Sequence, residues 1–282
     1  MSRLCPWTIA FTCLAAAAGC GDRAARSPSP TEYKWPERIS WRMEHVSELQ
    51  RGGHSIQRFE VRKILRLGVR DRQFMLGYDS VLRLSLLPNG TGQQSPFMPE
   101  DTLVFYVDLD RRGDINSLEP GCDPALPTCA AVLPSSVAIE LRRVIPRIPL
   151  WEVPRGATWT DTLVFDDARR PGGARGTFVT TYGPVTDTTI GPTGYWMVRW
   201  HDERRAFRIP APGALLAPEQ PVEEDGLTLI DKARLLPVFS TWAGAVAAPA
   251  ELRAAGVEAS GFRARAYLVD SPFDSAFAGP RR

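Results

Sequence analysis

Lysine is nearly missing from this 282-residue sequence, which carries it only at Lys34, Lys63 and Lys232 and leaves basic charge to arginine. Histidine is as scarce, at His45, His54 and His201. No G-x-S-x-G elbow, H-E-x-x-H pair or G-x-x-x-x-G-K loop occurs, which removes the common signatures of serine hydrolases, zinc proteases and phosphate-binding loops. An excess of charge of one sign is also lacking. Arg3 is the one charged residue among the first 19, so without that segment 34 basic residues become 33 against 32 acidic. A near-neutral chain argues against nucleic acid, which needs a basic face to release counterions. Beyond residue 20 no apolar run approaches the length of a membrane helix, and Pro-rich interruptions with a Gly-Pro-Arg-Arg ending argue against a transmembrane barrel.

What is present begins with Met1–Cys20: one cation at Arg3, a short apolar run, then Leu14-Ala-Ala-Ala-Ala-Gly19-Cys20. This is the layout of an export signal. The ending resembles the lipobox of bacterial lipoproteins, with Ala17 where Leu is preferred. The resemblance implies that residues 1–19 are removed and that Cys20 is acylated, tethering the chain to a membrane without spanning it. An ordinary secretory signal cut nearby and an uncleaved anchor are the other readings. Gly21 is not the acidic residue that retains some lipoproteins at the inner membrane, so the resemblance places the protein in the cell envelope, on the outer membrane facing the periplasm.

Residues 20–37 are polar, Pro-rich and aperiodic, which predicts a flexible tether. In an oxidising compartment Cys122 and Cys129, seven positions apart in "GCDPALPTCA", are expected to form a local disulfide. From 38 to 270 the dominant signal is alternation of period two. In "QRFEVRKILRL" Phe59, Val61, Leu65 and Leu67 share one face against Arg58, Glu60, Arg62 and Arg66. The same alternation predicts strands at "VLRLSLL", "TLVFYVDLD", "VAIELRRVI", "TWTDTLVF", "GTFVTTYGPV", "GYWMVRWH" and "RAFRI". The expected fold is all-β, a mostly antiparallel sandwich or half-open barrel, as one sheet system or two halves meeting near 150. One short C-terminal helix is expected at "PAELRAAG", with Pro249 at its first position and Gly256 as its cap, and residues 271–282 are expected to be a disordered tail.

Two stretches are candidates for a site. "DLDRRGDINSLE" resembles an EF-hand or dockerin-type calcium loop, with Asp108, Asp110, Gly113, Asp114, Asn116 and Glu119 at loop positions 1, 3, 6, 7, 9 and 12. Against it stand Arg112 at position 5 and a strand where the helix should be. The other reading is a hairpin turn at Arg111-Arg112-Gly113. No cofactor is expected unless that loop holds calcium. "GYWMVRWH" places Trp196, Val198 and Trp200 on one face, a core pattern that could also wall an apolar pocket together with Trp159.

"VPRGATWTDTLVF" followed by "YWMVRW" resembles uncharacterised exported β-proteins in which a Pro-Gly turn introduces a W-x-D strand. By fold-level analogy, some envelope lipoproteins with half-barrel folds carry lipids or lipoproteins. The expectation is therefore a lipid-anchored envelope protein, not an enzyme, binding an apolar ligand or an envelope partner. A calcium-stabilised scaffold is the alternative, and a hydrolase assembled from distant strands the third reading.

Overall fold

The computed structural model describes residues 30–70, 73–149, 153–154, 156–167, 174–208, 217–218, 222–247, 253–257 and 259–273. Cys20 and the export signal lie outside them. The elements are β1 (Arg38–Arg51), β2 (His54–Arg70), β3 (Gln73–Leu86), β4 (Gly92–Gln94), β5 (Phe105–Leu109), β6 (Ile115–Pro120), α1 (Pro127–Ala130) and α2 (Pro134–Val144). There follow β7 (Trp159–Asp166), β8 (Ala174–Ile190), β9 (Thr193–Arg208), β10 (Ala217–Pro218), β11 (Val222–Asp231), β12 (Leu236–Ala247) and β13 (Ala259–Leu268). One open antiparallel sheet runs β6-β5-β3-β2-β1-β13-β12-β11-β9-β8-β7, with β4 on β3 and β10 on β9. Both halves of the chain thus enter one sheet, joined where β1 pairs with β13.

Alternation does what it predicts along most of this sheet. In β5 Phe105, Val107 and Leu109 are buried while Tyr106 and Asp108 are exposed. In β2 Leu65 and Leu67 are buried on either side of exposed Arg66. The registers carry one such face across the whole sheet. A single cross-strand row runs Trp159, Tyr182, Trp200, Gly226, Trp242, Ala264, His45, Val61, Arg83. From Trp200 through Gly226, Trp242 and Ala264 large and small side chains alternate, because the indoles need the room. A Cβ added at Gly226 would fall inside the Trp200 ring's contact distance. The neighbouring row on the same face is polar at one end: Asp161, Thr180, Asp202, Glu224, Gly244, Phe262, Ser47, Phe59.

Three expectations are corrected. "VAIELRRVI" is not a strand but most of α2, which contacts β12 and β6. Val137, Ile139 and Leu141 satisfy period two, yet Val137, Leu141 and Val144 also satisfy a helical stripe, and Pro134 opens the helix at its first turn. Buried carboxylates from other segments cap it: Asp167 accepts the Ser135 N–H at 3.2 Å and Glu100 the Leu133 N–H at 3.4 Å. Second, the expected tether at 20–37 ends earlier, because Tyr33 is buried, donates its hydroxyl to the Pro146 carbonyl at 2.7 Å and stacks near Trp35. Third, Ser271 and Phe273 of the expected tail pack onto the fold, Phe273 against Tyr195 and Phe239. Of the expected C-terminal helix, residues 249–252 lie outside the described ones. Arg253 and Ala254 are helical, and Gly256 ends that turn at φ +81°.

Candidate functional site

All three tryptophans proposed as pocket walls are buried in the core, and Trp159 also lines a cavity of about 320 Å³ with Asp110, Asp114 and Arg147. Trp159 stacks on Tyr182 with ring centroids 5.2 Å apart and donates its indole N–H to the Arg147 carbonyl at 2.8 Å. Trp200 donates to Thr228 at 3.2 Å. Trp196 is buried beneath Lys232, whose ammonium stands 5.7 Å from the ring. Trp242, on the same aromatic row but at the centre of the sheet, faces a different cavity, beside α2.

The acidic loop is a hairpin connection. Asp110 accepts the backbone N–H of Arg112 at 2.7 Å and of Asp114 at 2.8 Å, an Asx-type turn. Asp114 points at Arg142 and Arg147, at 3.3 and 2.8 Å. Asp108, Asn116 and Glu119 are exposed along β5 and β6, with Glu119 opposite Tyr106 and well away from the turn. The loop's oxygens therefore serve backbone and arginine. Among the described residues no group of three His, Cys, Asp or Glu side chains is arranged to hold a metal. Cys122 and Cys129 are disulfide-bonded, with Cα atoms 5.8 Å apart.

A cavity of about 460 Å³ lies between α2 and the inner face of β1, β2 and β3. Its apolar wall includes Met43, Phe59, Val61, Met98, Val137 and Trp242. Its polar wall is a set of ion pairs joining separate elements. Lys63 of β2 binds Glu140 of α2 and sits 4.4 Å over the Tyr78 ring. Arg83 of β3 meets Asp101 at 2.6 Å, and Arg143 of α2 reaches Glu224 of β11. Glu100 Oε2, Glu140 Oε1, Arg143 Nε and Trp242 Nε1 are buried there without a partner. Such atoms carry a desolvation cost that a bound polar group would remove.

Electrostatics on this face are unusual at three side chains. His45, at 5.6 Å from the Phe262 ring, has its pKa lowered to about 4, first by burial and then by Arg143, Lys63 and Arg83. Asp202 is raised to about 7, mainly by burial. Glu224, its cross-strand neighbour, is also raised, again by burial, although Arg143 opposes the shift. Because a buried neutral histidine must charge as the chain unfolds in acid, His45 costs stability progressively from about pH 6.5 down to about 4. Replacing His45 by Phe is therefore expected to stabilise the protein by about 2 kcal/mol more at pH 5 than at pH 7.5. Paired denaturant titrations at the two pH values measure this, and equal effects at both would show that His45 charges freely in the fold. His201, by contrast, is exposed on the other face. It holds Asp225 at 2.9 Å, which raises its pKa, and it lines none of the described cavities.

Sequence reasoning missed Asp161, Asp202, Glu224 and the arginines that answer them. The signal was available: Trp196, Val198 and Trp200 share the inner face, and the same alternation carries that face on to Asp202.

No protein-family model matches the sequence, and no curated protein sequence matches it. Among solved structures the chain is similar to the hypothetical lipoprotein YmcC from Escherichia coli K12, at 13% identity and a TM-score of 0.25, over 80% of this chain and 84% of that one. A likeness so distant assigns neither fold nor function.

Proposed function

We propose that this chain is a lipid-anchored cell-envelope protein that binds, without catalysis, one apolar or amphipathic ligand in the cavity between α2 and β1–β3. The observation that carries the reading is the cavity itself. Its size falls in the range of small-molecule sites, its floor is apolar and aromatic, and convergent polar atoms at its rim lack partners. At ~30 Å³ per liquid water it has the volume of about fifteen waters, enough for one medium-length acyl chain. The lipobox resemblance at Leu14–Cys20 supports the anchor, with Cys20 as the acylated residue, and Gly21 supports the outer membrane. The ion pairs that hold α2 over the cavity support a binder, since they fix one wall of it to the sheet.

Native mass spectrometry of protein purified gently from its own envelope, followed by denaturing mass of the same sample, tests both parts. Acylated Cys20 and a small apolar mass lost on denaturation are expected. Ser47 is a small side chain on the cavity wall, so Ser47→Trp should fill the space and remove that mass while leaving the fold intact by circular dichroism. Persistence of the bound mass in Ser47→Trp would place the ligand elsewhere.

A further inference from the structure

We infer that the outer face of β13, β1 and β2 is a docking surface for an anionic lipid bilayer, which orients the tethered domain with its cavity side away from the membrane. The inference rests on the envelope location proposed above and goes beyond it. Its basis is a separation of charge that the near-neutral composition hides.

By register, the side chains of this face are those that alternate with Trp41, Met43 and His45. They form a groove of about 390 Å³ lined by Arg58, Arg62, Arg263 and Arg265 with Glu44 and Glu60, and Glu48 on the same face reaches Arg58 at 3.8 Å. Glu44 stands between Arg62 and Arg265 on the two neighbouring strands and binds Arg265, while Glu60 binds Arg58 at 2.7 Å and Arg62 at 3.2 Å. Both carboxylates are therefore engaged, and Arg263, which is exposed, pairs with no carboxylate among the described residues. The same face continues along the strands through exposed Arg38, Arg42 and Arg66, the last of which binds Asp79 of β3. Guanidinium groups held in a fixed array with donors left over suit phosphate headgroups, which they can engage through two parallel hydrogen bonds.

The tether is short enough to hold the domain at the surface. Nine residues separate Cys20 from Pro30, a span of at most about 36 Å when fully extended. That is less than the ~46 Å length of a 14-residue strand such as β1. A domain held so close meets the surface at high effective concentration, and each arginine near an anionic surface adds to the attraction.

The test uses the full chain with Cys20→Ser, which removes the anchor, in co-sedimentation with vesicles of phosphatidylcholine alone or with phosphatidylglycerol added. Binding is expected only to the anionic vesicles, weakening as salt rises from about 20 to about 200 mM, the range over which surface attraction is screened. The double reversal Arg62→Glu with Arg263→Glu is expected to lower the affinity by at least about 30-fold. Arg111→Glu, at an exposed cation on the β5–β6 hairpin that faces Glu32, should change it little. No binding to anionic vesicles at low salt, or equal losses from the Arg62/Arg263 pair and from Arg111, would overturn the inference. Neither result bears on Cys20 acylation or on the cavity ligand, which the mass measurements read separately. Because Arg62 and Arg263 are exposed, an unchanged melting curve for the double variant is expected and checks that lost binding is not lost folding.

Discussion

Arg142→Met is expected to destabilise the protein by about 3 kcal/mol and to loosen α2 from the sheet. Arg142 is 3% exposed at its side chain and Asp161 2%, and the two are directly paired. The second guanidinium nitrogen of Arg142 reaches Asp114 at 3.3 Å. One arginine on α2 thus links the edge strand β7 to the β5–β6 hairpin. Truncating it leaves Asp161 buried with a single remaining partner, Arg147, which is itself 37% exposed. Breaking a buried pair typically costs ~3–5 kcal/mol, and the low end applies because Arg147 remains. Arg142→Lys should recover only part of the loss, since an ammonium cannot span two carboxylates as the planar fork does. Arg142→Met with Asp161→Leu should recover most of it by removing both charges. Urea denaturation of the four proteins gives the comparison. A loss under about 1 kcal/mol for Arg142→Met would show that the helix is seated by its apolar packing and its Lys63–Glu140 and Arg143–Glu224 pairs, with no need of Arg142.

The same helix marks the limit of what the sequence tells. The strands are legible because one buried face and one wet face impose period two, as at Phe105, Val107 and Leu109. Segment 134–144 lies inside the sheet and is buried on several sides, with Ile139 against Phe165 and Phe178 while Leu141 meets the main core. Burial on several sides blurs the stripe that announces a surface helix. Its arginines look like a solvated face until the acids on three other strands are placed opposite them. Tyr33 and Trp35 were hidden differently, by Pro-rich neighbours whose composition suggests a linker. Trp242 faces the cavity and Trp196 does not because their strands occupy different places in the sheet order, and strand order is absent from local pattern. The hairpin at Arg111–Gly113 was legible, since its competitor needed an oxygen where Arg112 stands.

The second large effect is expected with the opposite sign: Asp202→Asn should stabilise the protein at pH 8 by about 2–4 kcal/mol and do almost nothing at pH 4. Asp202 is 1% exposed and hydrogen-bonded to Thr180, and its other oxygen is buried without a partner. Its nearest charged neighbours are Glu224, which repels its ionised form, and Arg143, which must also serve Glu224. The folded pKa, about 7, lies above the ordinary 3.8, so the native state holds a proton that the unfolded chain has released. Stability is thus lost as pH rises from about 4 through 7. An isosteric amide cannot ionise and escapes that loss. His45 acts in reverse over the same interval, since its folded pKa lies below its unfolded one and stability is gained as pH rises from about 4 to 6.5. In the wild-type chain the two slopes oppose each other, and stability between pH 4 and 7 is expected to be nearly flat. Asp202→Asn should expose the rising slope of His45, and His45→Phe the falling slope of Asp202. Parallel profiles for the two variants would mean that Asp202 is ionised and fully satisfied in the fold, with Arg143 shared between two carboxylates instead of committed to one.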